Sequence, residues 1–286
     1  DPVAAARILK LDQELSRIET YQLNAGLAEN RLQQEESALA GSVDVIQRIR
    51  ELTVQAGNGS LSPNDRKSIS SELKERIGQL ANIANTRDAS GEYIFSGFQG
   101  STAAFGKDAS GSWVYQGDEG QRVLEIDDGV TVPISDHGKG IYSSIPAAVF
   151  AESDPNNATA ARIDGIQVAN DGALSAVSPD NIIITVDTLA GTVSAVNSRT
   201  GDPLTVTPAA YTSGESFEVA GVQATITDAG DGDEFTLRAG ERQSVFATIE
   251  NLIDGLDNID KGSPAGQAAY DDLIAASLQN LDNAQE

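Results

Sequence analysis

From position 3 to 56 the chain holds no proline and only two glycines, Gly26 and Gly41. Apolar residues recur there at Ile8, Leu11, Leu15, Ile18, Leu32, Leu39, Val43 and Ile46. The steps are three, four or seven residues, except for the gap between Ile18 and Leu32, and such spacing marks a helix with a packing seam. Gln22, Ala25, Glu29 and Glu36 occupy the seam positions between, so its middle is weak. The pattern predicts one helix over 3–56, about 80 Å long at 1.5 Å rise per residue. Gly57, Asn58 and Gly59 then stop it. Ser62, Pro63 and Asp65 read as the N-cap, first position and first turn of a second helix. Its seam is Ile69, Leu73, Ile77, Leu80 and Ile83, and it ends near Arg87. Two antiparallel amphipathic helices joined by a short loop result.

Beyond Arg87 the period shortens. Residues 85–91 carry turn chemistry, and Glu92-Tyr93-Ile94-Phe95 reads as a strand. From 102 to 236, strand-like runs at 113–115, 122–126, 130–132, 182–186, 217–219, 223–226 and 235–237 alternate with Gly, Asp, Ser and Pro clusters. Residues 142–160 and 173–178 fit neither period. After 239 a helical seam returns at Val245, Ile249, Leu252, Leu256 and Ile259. Ser263 and Pro264 restart a helix that carries Leu273, Ile274, Leu278 and Leu281. The expected fold class is α+β multidomain. A long antiparallel helical rod, residues 1–101 and 237–286, carries an inserted all-β domain, residues 102–236. Both the first and the last helix are periodic to the ends of the sequence, so each reads as a cut through a longer helix. The lack of any methionine fits a fragment.

Charge changes this picture little. The chain has 19 basic and 43 acidic side chains, a net charge of −24, and the excess is concentrated in the β region. Nucleic-acid binding needs a basic face and is not expected. No apolar run reaches the roughly 20 residues of a membrane-spanning helix, and none is expected. The absence of cysteine excludes disulfides and thiolate chemistry. His137 is the one histidine, and Ser135 and Asp136 are too near it in sequence to make a hydrolytic triad readily. Residues 228–234 are acidic but lack the glycine and glutamate positions of a calcium loop, so an acidic turn is expected. Gly138-Lys139-Gly140 lacks the rest of a phosphate loop. No catalytic residue, cofactor or metal is expected. A secreted enzyme or metal-binding module built on the acidic β insert is the opposing class.

The run Gln47-Arg48-Ile49-Arg50-Glu51-Leu52-Thr53-Val54-Gln55-Ala56-Gly57-Asn58-Gly59 resembles a segment of bacterial flagellins and their relatives. The helix opening at Ser62-Pro63-Asn64-Asp65 fits the same pattern. Residues 1–7, 84–97 and 230–237 resemble the hook–filament junction members of that superfamily more than its filament subunits. The resemblance covers 1–100 and about 215–286. It implies a flagellin-like helical rod in a structural protein of the bacterial flagellum, exported by the flagellar apparatus to the cell exterior and without catalysis. It implies as partners neighbouring copies of the chain, hook-associated protein 1 and flagellin, with the isolated piece monomeric in solution. By position it implies assembly contacts at Arg48, Glu51, Leu52 and Gln55. On the residues alone, Leu52 fits a core position and the other three an ordinary solvated face. A filament subunit, flagellin itself, is the alternative within the superfamily.

Overall fold

The computed structural model describes residues 2–146, 148–240 and 242–285, apart from the side chains at 2 and 239. Asp1 and Glu286, at the outer bounds of the expected rod, lie outside them. The chain opens with helices α1 (Pro2–Ala56) and α2 (Pro63–Ala84). Short strands follow: β1 (Phe105–Lys107), β2 (Trp113–Tyr115), β3 (Val123–Asp127) and β4 (Val130–Pro133), then the one-turn helix α3 (Gly138–Tyr142). Next come β5 (Val149–Ser153), β6 (Arg162–Val168), α4 (Asp171–Ser175), β7 (Ile182–Asp187), β8 (Thr192–Asn197), β9 (Pro203–Leu204) and β10 (Val206–Thr207). Strands β11 (Ser216–Val219), β12 (Val222–Thr227) and β13 (Glu234–Ala239) complete the β region. Helices α5 (Val245–Asn258) and α6 (Pro264–Asn283) close the chain.

By contact the chain divides into two units. One comprises 1–145, 244–274 and 284–286. The other comprises 146–243 and 275–283. The sequence-based boundary at 102 does not coincide with this division, because the β1–β2 and β3–β4 hairpins group with the long helices. Asn24 of α1 donates to the Glu125 C=O of β3 at 2.8 Å, and aromatic packing holds the β1–β2 hairpin. Phe105 of β1 lies 4.8 Å from Phe246 of α5 and 5.5 Å from Tyr142 of α3, centroid to centroid. Phe95 meets Tyr142 edge-on at 5.7 Å, and Trp113 of β2 lies 6.0 Å from Phe246. Such pairs add to simple burial.

In the first unit α2 starts as expected. Ser62 accepts the Asp65 N–H and the Asp65 carboxylate accepts the Ser62 N–H, a reciprocal capping box. Its buried side is Ile69, Leu73, Ile77 and Leu80, and α5 buries Val245, Ile249, Leu252 and Leu256. Helix α1 departs from its sequence reading. The buried line is Ala28, Glu35, Ala38, Ser42, Val45, Ile49, Leu52 and Ala56, at steps of seven, three and four. From the expected seam only Ile46 is buried and Leu39 half-buried. Leu32, Val43 and the whole Ile8–Leu11–Leu15–Ile18 series are exposed. Small side chains let neighbouring backbone approach, so before Val45 the contact face is marked by Ala and Ser rather than by large apolar residues. The run 92–95 is not a strand either. It makes one bridge, Tyr93 to Arg87, and then turns so that Phe95 enters the aromatic cluster.

The second unit contains a five-stranded sheet, ordered β5-β13-β7-β8-β9, and a four-stranded sheet, ordered β10-β11-β12-β6. All pairings are antiparallel. One core takes side chains from both sheets, including Ile182, Ile184, Val186, Phe217, Val219, Ala224, Ile226, Phe235 and Leu237. On β7 and β12 every second residue points into it, as a half-buried strand requires.

Candidate functional site

The last turns of α1 place the four expected contact residues on two faces. Ile49, Leu52 and Ala56 are buried, Leu52 to 1 % exposure, so Leu52 faces the core and is not available to a partner. Arg48, Glu51 and Gln55 are exposed. Arg48 is shared between two carboxylates. Its Nε donates to Glu72 Oε1 at 2.9 Å, across to α2, and its Nη1 to Glu51 Oε2 at 2.8 Å. Glu72 also meets Arg76 Nη2 at 3.4 Å. The hydrogen bonds to Glu72 and Glu51 raise the Arg48 pKa, and that from Arg48 lowers the Glu72 pKa. The result is an exposed strap of alternating charge across α1 and α2, whose pair energies are individually small. Its α2 half was missed in the sequence because nothing in residues 72–76 points to α1. Val54 is exposed in the same helical stretch.

The other sequence candidates have local partners. Ser135 Oγ accepts the Arg122 N–H, and the Asp136 carboxylate accepts Gln121 Nε2. His137 caps α3, its Nδ1 accepting the Gly140 N–H at 3.1 Å. The three are thus engaged separately and make no relay. In the acidic turn, Asp233 is buried to 1 % exposure and accepts the Ala158 and Gly230 N–H groups and the Thr159 hydroxyl. It ties the turn to the 158–159 loop. Among the described residues no three His, Cys, Asp or Glu side chains are grouped to hold a metal ion.

Glu35 is the charged residue that the sequence did not single out. It sits on the buried line of α1, 6 % exposed, where its carboxylate accepts the Asp136 N–H at 3.1 Å. Burial, assisted by the nearby Asp136 carboxylate, pushes its pKa up to about 7 against the pull of that hydrogen bond. A carboxyl whose pKa is raised on folding favours the folded state when protonated. This contribution is complete below the ordinary value of 4.5 and is lost as pH rises through about 7. Substitution Glu35→Gln is therefore expected to stabilise the first unit at about pH 8 by on the order of 2 kcal/mol, and to change little below about pH 4. Thermal melts of both proteins across that range test this, and a gap that does not widen with pH would refute it.

The profile of the bacterial flagellin N-terminal helical region matches residues 1–100. Flagellar hook-associated protein 3 of Salmonella typhimurium is 34% identical over 154 residues, which is 54% of this chain and 48% of that protein. The crystal structure of the flagellar junction protein FlgL from Legionella pneumophila superposes with a TM-score of 0.65 at 28% identity. That alignment covers 100% of this chain and 89% of the other. The chain is similar to flagellar hook-associated protein 3. It spans about half the length of the curated hook-associated protein 3 relatives that it matches. Listeria monocytogenes flagellin is 30% identical over 86 residues, only 30% of this chain and 30% of that protein. Likeness to the hook-associated proteins thus reaches well beyond the stretch shared with flagellin. The α+β architecture, a long N-terminal helix with a β-rich portion, is that of the FlgL structures.

Proposed function

We propose that this chain is a structural, non-catalytic part of the bacterial flagellum, located outside the cell at the joint between hook and filament. The observation that carries this reading is the full-length structural likeness to the Legionella junction protein at 28% identity, which includes the β region. Flagellin likeness over less than a third of the chain supports the filament-subunit reading less well. The helical domain supplies the assembly surface, with Arg48, Glu51 and Gln55 facing neighbouring copies, hook-associated protein 1 or flagellin. Leu52 holds that surface in place from beneath.

Cells lacking the gene are expected to build hooks, to release flagellin into the medium and to lose swimming. Normal filaments on such cells would overturn the proposal. If the chain were instead a filament subunit, it would be a major protein of sheared filaments, whereas a joint component is a trace one.

A further inference from the structure

The connection between α1 and α2 contains Asn58-Gly59, and no other asparagine in the chain precedes a glycine. Asn58, Gly59 and Ser60 are all exposed. The main chain of Asn58 is held on both sides: its N–H donates to Gln55 C=O at 3.1 Å, and its C=O accepts the Leu61 N–H at 3.3 Å. Its side-chain Oδ1 accepts two further bonds, from the Ser60 N–H at 3.1 Å and the Ser60 hydroxyl at 2.9 Å. Among the described residues, neither Asn58 Nδ2 nor the Gly59 N–H makes a hydrogen bond. A methyl group placed on Gly59 would meet nothing within 4 Å.

We propose that Asn58 is a site of spontaneous deamidation, with Ser60 assisting. The Gly59 nitrogen gives its proton to solvent base and attacks Asn58 Cγ. A bond forms between Gly59 N and Cγ, and negative charge gathers on Oδ1. The two Ser60 donors already point at that oxygen, the arrangement that stabilises a developing oxyanion. The Cγ–Nδ2 bond then breaks and ammonia leaves with a proton from solvent, giving a five-membered imide. Water opens the ring at either carbonyl, leaving an aspartyl or an isoaspartyl residue at 58. No oxidant or reductant enters. Glycine matters because it puts no side chain beside the attacking nitrogen, and open solvent supplies both the base and the water. Each product adds a negative charge three residues beyond Gln55. The isoaspartyl form also lengthens by one backbone atom the connection that sets the α1–α2 pairing.

The whole chain, incubated at about pH 8 and about pH 5 and then digested with trypsin, tests this by mass spectrometry. The peptide 51–66 contains Asn58 and Asn64, so it carries its own control. A gain of about 1 Da, the change from amide to acid, is expected at Asn58 and faster at the higher pH, with Asn64 unchanged. Gly59→Ala and Ser60→Ala are each expected to slow it severalfold, with unchanged circular dichroism showing that both variants fold. No gain at Asn58, or an equal gain at Asn64, overturns the site. An unaltered rate in Ser60→Ala overturns the assisting role.

Discussion

Phe246→Ala is expected to remove about 3–5 kcal/mol of stability from the helical unit, the usual cost of truncating a buried aromatic residue. Phe246 is fully buried and packs against Phe105, Trp113 and Tyr142 at once. These partners come from β1, β2 and α3, so no single element can close over the void. Trp113 is the only tryptophan of the chain and lies against Phe246, which makes its fluorescence a direct report on this unit alone. Urea titration followed at Trp113 gives the measurement. Phe98→Ala is the control: Phe98 is 63% exposed, and its truncation is expected to be nearly neutral. A loss at Phe246 of no more than about 1 kcal/mol would mean that the aromatic cluster does not hold the hairpins to the helices.

Leu52→Ala and Arg48→Ala, four residues apart on one helix, are expected to fail in opposite ways. Leu52 is buried, and its truncation is expected to cost about 2–5 kcal/mol. Any loss of motility it causes should track the loss of folded protein. Arg48 is exposed, and its ion pairs with Glu51 and Glu72 contribute little to stability. Arg48→Ala should fold and melt like the parent and still impair swimming when it replaces the natural residue in the cell. Folding is read by urea titration and assembly by motility of the complemented deletion strain. An Arg48→Ala strain that swims normally would remove Arg48 from the assembly surface.

What could be read from the sequence was mostly what local chemistry determines. The start of α2 is set within four residues by Ser62, Pro63 and Asp65, and α6 restarts at Pro264 after Ser263 for the same reason. The seams of α2 and α5 were legible because large apolar residues occupy them. Before Val45 the large apolar residues of α1 lie on a different side from the buried line, and Ala28, Ala38, Ser42 and Glu35 carry no hydrophobic signal. Strand β6 was missed because Gly165 breaks its alternation, and β8 because Ser194 and Ala195 dilute it. Of the candidate contact residues, the sequence placed the segment. The residues alone already fit Leu52 to the core and Arg48, Glu51 and Gln55 to a solvated face, and the burial agrees; only the fold brought Glu72 to Arg48.

The pairing of β5 with β13 bears on how the chain can fold and diversify. Val149 stands opposite Ala239, so the strand that enters the β unit and the strand that leaves it run side by side. The aromatic cluster must join Tyr142 to Phe246 across about a hundred residues, and closing so long a loop carries an entropic penalty. Once β5 and β13 are paired, the chain separating those two aromatic residues behaves as a short link, and loop closure ceases to depend on what lies between. Strands and turns can therefore be added to or removed from the middle of the β unit while the helices still find each other, provided that this one pair is kept.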